Sequence, residues 1–425
     1  MKNRMMQNQF LKTLKHTKMK ISKPELMAPA GDWISLRTAI DSGCDSVYFG
    51  IKGLNMRAGA ENFSKDDMIK IVKQCHDNNV KAYLALNTIV YEDELHIVKR
   101  IITEAKKAKV DAVICWDFSI IQEAKKQGIP VFLSTQMSVS NSESVKFFRS
   151  LGVKRIVPAR ECSLEDIKKI KSAINDIEIE VFVHGAMCVS VSGRCFLSQF
   201  QFGRSANRGK CLQPCRREYK ITDREEKHSF KLGNDYILSP RDLCTLPFIE
   251  KLIESGIDSF KIEGRNRSPE YVKTVTSVYR KAIDSCFDDR DNFEKLKKKL
   301  LIELKKVYNR GFSAGFFLGK PINEWTDRYG SKATTRKEYA GIVRNYYQKQ
   351  GAAEIKVESN EFAEGDEIMF QGPTTGVFSQ KAESIEINHK KVDKAEKGKS
   401  VALKTVEKVR ENDKVYVILS SSNEA

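Results

Sequence analysis

Short apolar segments alternate with amphipathic helical segments from residue 25 to about residue 286. Each apolar segment is rich in Val, Ile or aromatic residues, which is typical of a strand buried on both faces of a parallel sheet. Eight such segments predict strands at Glu25–Ala30, Ser46–Gly50, Lys81–Asn87, Ala112–Asp117, Pro130–Gln136, Arg155–Arg160, Glu178–Gly185 and Ser259–Arg265.

Helices are predicted between these strands, for example over Lys65–Asn79, Glu92–Ala108 and Ser163–Ile174. Glycines of the kind that end helices stand shortly before several of the strands, such as Gly43 and Gly128. Eight strand–helix units predict an α/β fold, a (β/α)₈ TIM-like barrel. An open, doubly wound sheet is the alternative.

Other segments flank or interrupt this repeat. A cysteine-rich insertion over 186–240 follows the seventh strand, where a barrel has its C-terminal mouth, and a helix is predicted after it over Asp242–Ser255. A basic helix is predicted over Asn292–Val307, and six later β runs predict a small antiparallel β-barrel domain. These runs are Tyr339–Tyr347, Ala353–Ser359, Glu367–Gln371, Ser384–Ile387, Val401–Thr405 and Lys414–Ile418.

The predicted domains are therefore a basic, disordered leader at 1–23, the barrel at 24–290, a basic helical linker at 291–335 and the β domain at 336–425. An RNA-contacting arm is the alternative for the leader.

The chain is strongly basic, with 73 Lys and Arg against 56 Asp and Glu and a net charge of +17. This surplus favours a polyanionic partner, most simply RNA, although a merely basic protein surface is the alternative. The sequence contains no apolar run long enough for a membrane span and no secretory signal, so we expect a cytoplasmic protein that does not bind membranes.

Four cysteines in the insertion, Cys188, Cys195, Cys211 and Cys215, form the pattern most specific for chemistry. In a reducing compartment such a set indicates a soft metal or an iron–sulfur cluster rather than disulfides. Zinc-binding pairs are usually two to four residues apart, and the six-residue gap between Cys188 and Cys195 fits that habit poorly. An iron–sulfur cluster is therefore favoured, with structural zinc as the alternative.

Polar side chains at the carboxyl ends of the predicted strands face the mouth of a barrel. His184, Glu263 and Arg265 are candidate catalytic residues, since the first two exchange protons and an arginine binds anions. Candidate substrate-binding residues are Asn87, Gln136, Arg160, Arg204 and Arg208, the last two suited to a phosphate backbone. Rim hydrogen bonds or a solvated basic loop are the alternatives.

A peptidase mechanism finds little support. The segment Gly311-Phe312-Ser313-Ala314-Gly315 matches Gly-x-Ser-x-Gly, but it follows a predicted helix, whereas a nucleophile elbow joins a strand to a helix. Cys195 and His184 could form a thiol–imidazole pair, but a cysteine that ligates a metal is not a free nucleophile.

Several long motifs resemble those of peptidase family U32, the collagenase-like proteases, over roughly residues 25 to 320. The matching segments are Leu26–Gly31, Val183–Ser198, Asn207–Arg216, Lys261–Arg265 and Asn309–Ser313. The resemblance implies a hydroxylase of the wobble uridine of tRNA, of a cytidine in large-subunit ribosomal RNA, or of a quinone precursor.

The resemblance also implies a 4Fe–4S cluster on Cys188, Cys195, Cys211 and Cys215, with Cys244 as an alternative ligand. It implies prephenate as a co-substrate, held by Arg160 or Arg265, and a partner subunit of the same family. The length favours the tRNA branch, whereas Arg208–Cys215 is closer to the ribosomal-RNA branch. A peptidase, and a non-catalytic RNA-binding module with structural zinc, are the competing hypotheses.

Overall fold

The barrel closes because its last strand pairs with both its first and its seventh. The computed structural model describes residues 22–222, 225, 229–232, 238–288 and 290–421. The parallel barrel strands are β1 (Glu25–Ala30), β2 (Ser46–Phe49), β3 (Lys81–Ala85), β4 (Ala112–Cys115), β5 (Val131–Leu133), β6 (Arg155–Ile156), β7 (Glu178–Gly185) and β11 (Ser259–Ile262). Neighbouring strands pair in chain order from β1 to β7, and β11 pairs in parallel with β7 and with β1. The prediction of a (β/α)₈ barrel is confirmed.

Helices cover the outside of the barrel. They are α1 (Trp33–Asp41), α2 (Met68–His76), α3 (Leu95–Ala108), α4 (Phe118–Lys126), α5 (Ser142–Ser150), α6 (Leu164–Ala173) and α8 (Ile249–Glu254), with the short helix α7 (Leu197–Phe202) in the insertion. Several helices begin at a capping side chain: Asp32, Asp117 and Asn141 each accept a hydrogen bond from a backbone amide of the first turn.

The strands alternate between two environments. Leu26, Ala28 and Ala30 of β1 pack against the helices, whereas Met27 faces the barrel interior with Tyr83. The floor of the interior is charged: Arg155 is 2% exposed and pairs with Glu25 at 2.8 Å and with the fully buried Glu180 at 3.2 Å. A packed floor leaves the carboxyl ends of the strands as the open end of the barrel.

The insertion contains the hairpin of β8 (Tyr219–Thr222) and β9 (Ser229–Leu232), which forms a separate two-stranded sheet. The strand β10 (Asp242–Cys244) follows the insertion and extends the barrel sheet. Strand β10 is antiparallel to β7 and parallel to β12 (Phe312–Ser313). The predicted helix over Asp242–Ser255 is therefore wrong at its start. Pro247, which lacks an N–H and disfavours a helical residue before it, separates β10 from α8.

Two helices, α9 (Pro269–Asp288) and α10 (Arg290–Lys306), precede a second, antiparallel unit. Its eight-stranded sheet has the order β17-β16-β22-β13-β14-β21-β18-β19, beside a two-stranded sheet of β15 and β20. The strands are β13 (Thr335–Tyr347), β14 (Ala352–Val357), β15 (Phe362–Ala363), β16 (Glu367–Gly372), β17 (Gly376–Lys381), β18 (Glu386–Ile387), β19 (Lys390–Lys391), β20 (Lys394–Ala395), β21 (Ser400–Lys404) and β22 (Lys414–Ser420). The antiparallel β unit is confirmed, with β15, β17, β19 and β20 as additional strands.

The β unit contacts the barrel through the start of α9. Lys337 and Gln371 both donate hydrogen bonds to Glu270 Oε2, at 2.8 and 3.0 Å. Because α9 begins shortly after β11, this contact places part of the β unit beside the mouth. The predicted leader lies outside the described residues except for its last two positions. Within the described ranges, no helix has the length and apolar composition that crossing a membrane requires.

Candidate active site at the barrel mouth

A cavity of about 240 Å³ opens at the C-terminal mouth of the barrel. Loops that follow the barrel strands form its wall, and the cysteine-rich insertion covers one side. Eight of the residues predicted from the sequence line this cavity: Asn87, Gln136, Arg160, Cys188, Cys211, Cys215, Glu263 and Arg265. They come from six different segments of the chain, so the fold concentrates the candidate chemistry in one place.

The four insertion cysteines are free thiols, and Cys188, Cys211 and Cys215 line this cavity. Burial raises the pKa of Cys211 and the pKa of Cys215. The thiols of Cys188 and Cys195 raise both of these pKa values further. Three of the four cysteines therefore meet at one cavity in the folded chain.

Backbone amides point at three of the four sulfurs. Ser190 N donates to Cys188 Sγ at 3.4 Å, Leu197 N to Cys195 Sγ at 3.4 Å, and Gln213 N to Cys211 Sγ at 3.3 Å. In each case the donor stands two residues after the cysteine. Hydrogen bonds of this kind stabilise the negative charge of a thiolate and tune the potential of an iron–sulfur cluster.

The donor chemistry of the insertion suits a soft metal or an iron–sulfur cluster, since both accept thiolate ligands. Cys188, Cys195, Cys211 and Cys215 are the thiols that would hold such a group. Among the described residues, no group of three or more His, Cys, Asp or Glu is arranged to hold a metal ion.

Cys244, the alternative ligand, lies in the core. It is buried in β10, accepts a hydrogen bond from Tyr279 Oη at 3.9 Å, and burial raises its pKa to about 11. The thiols of Cys44, Cys75, Cys115 and Cys162 are likewise buried.

Glu263 is the carboxylate of the cavity, and it pairs with a residue that the sequence analysis missed. Arg57, in the connection between β2 and α2, donates from Nη2 to Glu263 Oε1 at 2.6 Å and from Nε at 3.0 Å. Burial acts to raise the pKa of Glu263, but the guanidinium groups of Arg57, Arg265 and Arg160 outweigh it and hold the pKa below its usual range. Glu263 is therefore ionised at neutral pH.

Arg160 contacts an aromatic ring and a thioether at the wall of the cavity. Its guanidinium stacks over the Phe182 ring at 3.9 Å and donates to Met187 Sδ at 3.2 Å. Its Nε is buried and has no hydrogen-bond partner among the described residues. An unpaired buried donor costs free energy, about 1–3 kcal/mol, so a ligand anion at this position would be stabilising.

Arg265 also lines the cavity. It donates to Asn55 Oδ1 at 3.3 Å, and a Cβ at Gly50 would lie 2.2 Å from its Nη1, so a larger residue at position 50 would displace the guanidinium. Burial lowers the pKa of Arg265 to about 10, which leaves it protonated at neutral pH. Lys261 lies deeper and pairs with Glu180 at 2.9 Å.

The charges of the lining are strongly unbalanced. Among the described residues, its lining contains one carboxylate, Glu263, against seven basic side chains: Arg57, Arg160, Arg216, Lys261, Arg265, Arg267 and Arg310. A partly buried concave site with this surplus attracts anions. The cavity therefore suits a substrate or co-substrate with carboxylate or phosphate groups.

The two predicted amide residues, Asn87 and Gln136, form hydrogen bonds between loops of the cavity wall. Asn87 Oδ1 accepts from Met56 N at 3.1 Å, and Gln136 Nε2 donates to the Asn87 carbonyl oxygen at 3.0 Å. These bonds connect the loops after β2, β3 and β5. Both residues line the cavity, so they also present polar groups to a bound molecule.

His184 lies outside the cavity lining. Strict alternation along β7 after Glu180 and Phe182 would turn His184 toward the mouth. However, the pairing with β11 steps from Phe182 directly to His184, so Val183 forms a β-bulge. The imidazole is instead 2% exposed among the rings of Tyr271, Tyr279 and Phe312, and burial lowers its pKa to about 3.

The two loop arginines proposed for phosphate binding lie in different surroundings. Arg204 is exposed and lies outside the cavity lining. Arg208 forms an ion pair with Glu94 and donates to the Ile89 carbonyl oxygen at 2.6 Å. It therefore fastens the insertion to the loop after β3.

Ser313 of the Gly-x-Ser-x-Gly segment lies in β12, and a turn over residues 315–318 follows. Gly315 N donates to Ser313 Oγ at 3.0 Å. This is not the strand-to-helix geometry of a nucleophile elbow.

Comparison with known proteins identifies the family. Residues 31–327 match the profile of peptidase family U32. A protein named collagenase from Porphyromonas gingivalis W83 is 42% identical over 409 residues, which cover 94% of this chain and 98% of that protein. The tRNA hydroxylation protein P1 of Bacillus subtilis is 36% identical over 386 residues, 89% and 90% of the two chains.

A third relative is longer. The 23S rRNA 5-hydroxycytidine C2501 synthase of Escherichia coli K12 is 33% identical over 379 residues, which cover 79% of this chain but 56% of that protein. The family match extends from the loop after β1 to beyond β12 and so includes the whole cavity. The chain belongs to peptidase family U32.

Proposed function

We propose that this enzyme hydroxylates a base in RNA and that Cys188, Cys195, Cys211 and Cys215 hold the 4Fe–4S cluster that the reaction uses. One observation carries the proposal: three of these thiols line the same cavity as Arg160, Glu263 and Arg265. Relatives named for tRNA and ribosomal-RNA hydroxylation, aligned over most of this chain, support it.

The reaction requires an oxygen source. Replacing a C–H bond of the base with C–OH is a two-electron oxidation, so the co-substrate that supplies the oxygen atom is reduced by two electrons. Prephenate, an organic acid, is the proposed source. A bound iron–sulfur cluster supplies one-electron transfer.

The residues of the chain supply binding and proton chemistry. Arg160 and Arg265 lie in one cavity and hold the carboxylates of the co-substrate through charge-assisted hydrogen bonds. Ionised Glu263 accepts the proton that leaves the base, while Arg57 fixes its orientation. Asn87 and Gln136 present amide groups to the base edge.

The wobble uridine of tRNA is the proposed target. The chain aligns with 90% of the tRNA hydroxylation protein and with 56% of the ribosomal-RNA enzyme, so its architecture corresponds to the former. A cytidine of 23S rRNA is the alternative. A partner subunit of the same family and a cytoplasmic location are further parts of this proposal.

A peptidase is the second candidate function, favoured by the 42% identity to a protein named collagenase. Under this alternative the purified chain cleaves gelatin without iron, and substitution of one nucleophile abolishes cleavage. The buried position of His184 does not support its pairing with Cys195.

Mass spectrometry of nucleosides tests the proposal. A strain lacking the gene should lose 5-hydroxyuridine from tRNA, and wild-type protein should restore it, whereas Cys211→Ser should not. Cys162→Ser, at a buried thiol outside the cavity, is the matched control and should restore the base. Loss of hydroxycytidine from ribosomal RNA would instead support the alternative target, and no lost hydroxylated base would refute both.

A further inference from the structure

A second cavity, of about 350 Å³, adjoins the first. The two share Cys211, Gln213, Arg216 and Arg310, so these residues border both cavities. Four arginines and two tyrosines contribute to its lining, which contains no carboxylate among the described residues: Arg216, Arg217, Arg310, Arg328, Tyr308 and Tyr329. We call it the arginine groove.

Two of the four arginines already bind other groups of the protein. Arg216 donates to Ser239 Oγ at 2.7 Å and to the Pro240 carbonyl oxygen at 2.6 Å, and Arg310 pairs with Asp242 at 3.2 Å. Arg217 and Arg328 are exposed instead. They are therefore the cations of the groove that are accessible to a ligand.

Exposed aromatic rings flank these two cations. Tyr329, beside Arg328, is 66% exposed. Arg217 lies over the Phe202 ring at 4.5 Å, and the same short helix carries Phe200, which is 86% exposed. Phe196, one turn before Phe200, is 65% exposed and lies 6.1 Å from it between ring centroids. Such rings are unusual on a water-exposed surface and suit stacking.

The charge of the insertion matches a polyanion. Between residues 186 and 217 the sequence contains six Lys and Arg and no Asp or Glu. A phosphate backbone is attracted by such a surface, and aromatic rings interleaved with cations are typical of proteins that bind single strands. A duplex keeps its bases stacked internally and cannot use the rings.

We infer that the arginine groove and the phenylalanines of α7 bind unpaired RNA nucleotides next to the target base. This inference rests on the proposed function. Arg217 and Arg328 contact phosphates, Tyr329 and Phe200 stack on bases, and the strand continues into the central cavity at Cys211 and Gln213. The recognised element is therefore a single-stranded loop rather than a helix.

Fluorescence anisotropy with a labelled ten-nucleotide single-stranded RNA, and with the same sequence as a duplex, tests the inference. Arg217→Ala/Arg328→Ala should weaken single-strand binding at least tenfold and reduce the salt slope by about 1.4, for two lost phosphate contacts. Phe200→Leu/Tyr329→Leu should weaken it about tenfold or more with an unchanged slope.

Lys298→Ala/Lys299→Ala is the matched control, since it removes two exposed charges of α10. It should change affinity less than threefold. The inference would be overturned if this control lost as much RNA affinity as the groove variants. It would also be overturned if the protein bound the duplex as tightly as the single strand. Aromatic variants that alter the oligomeric state but not RNA affinity would overturn it as well. Thermal unfolding of every variant shows whether it is folded.

Binding is measured without turnover, so the two hypotheses can fail separately. Groove variants that lose RNA affinity in a protein with no hydroxylase activity would refute the proposed function and support the groove. Groove variants that bind RNA as tightly as wild type, in a protein that does hydroxylate RNA, would refute the groove and support the proposed function.

Discussion

Arg57 Nη2 lies 2.6 Å from Glu263 Oε1, and this ion pair joins two walls of the central cavity. Arg57 belongs to the connection after β2 and Glu263 directly follows β11, 206 residues later. The pair orients the carboxylate and keeps it ionised. The proposed proton acceptor is therefore fixed before substrate binds.

Glu263→Gln should reduce hydroxylation at least 100-fold, because the amide cannot accept the proton. The free energy of unfolding should fall by only about 1–3 kcal/mol, as expected when a charged hydrogen bond is weakened. Nucleoside analysis of complemented cells and denaturant unfolding give the two quantities. Glu143→Gln breaks an exposed ion pair with Lys146 outside the cavity and should keep hydroxylation within about threefold. Equal losses in both variants would contradict the role of Glu263.

Arg160→Met should separate stability from activity. The Nε of Arg160 is buried without a partner, so removing the charge should leave the free energy of unfolding unchanged within about 1 kcal/mol or raise it. Hydroxylation should fall at least tenfold if Arg160 holds the anionic co-substrate. A strongly destabilised variant would show instead that Arg160 is a structural cation.

Arg155→Met should destabilise the barrel by about 3–5 kcal/mol, because Glu25 and Glu180 would remain buried without their shared cation. Urea unfolding measures this loss. Arg149→Met, which removes an exposed pair with Asp176, should cost no more than about 1 kcal/mol. Similar costs for the two variants would refute the structural importance of the charged floor.

His184 should make the protein less stable in acid. Its pKa is about 3 when folded and 6.5 ordinarily, so between these values the unfolded chain binds more protons than the folded one. Stability should therefore fall as pH is lowered from about 6.5, by up to about 1.4 kcal/mol per pH unit from this residue. His184→Leu should show a shallower decline than wild type. Parallel pH profiles would contradict the buried, neutral imidazole.

The fold followed from the hydrophobic pattern because strands buried on both faces are continuous apolar runs. The same pattern predicted the wrong orientation for the His184 side chain. The one-residue bulge that turns it away depends on the pairing of β7 with β11 and has no signature in the sequence of β7 itself. It also misassigned Asp242–Cys244, which is a strand because β7 and β12 offer pairing partners. Local propensity does not report such partners.

Within the site, the cysteines and the polar residues after the barrel strands could be found from motif and position. Arg57 could not, because it stands in an irregular connection whose course depends on Asn55 and on the docked insertion. The long connection between β2 and α2, at the mouth of the barrel, was the available signal. The arginine groove is formed by segments as far apart in the sequence as Cys211 and Gly330, so it exists only in the folded chain.

Iron and acid-labile sulfide analysis of anaerobically purified protein, with its visible spectrum, tests the central claim most directly. The account predicts a brown protein with four irons and four sulfides per chain. The Cys188→Ser and Cys215→Ser variants should lose most of their iron and sulfide, whereas the Cys162→Ser variant should retain its iron and sulfide. A colourless protein with one zinc and no iron, or iron retained in all the variants, would contradict it.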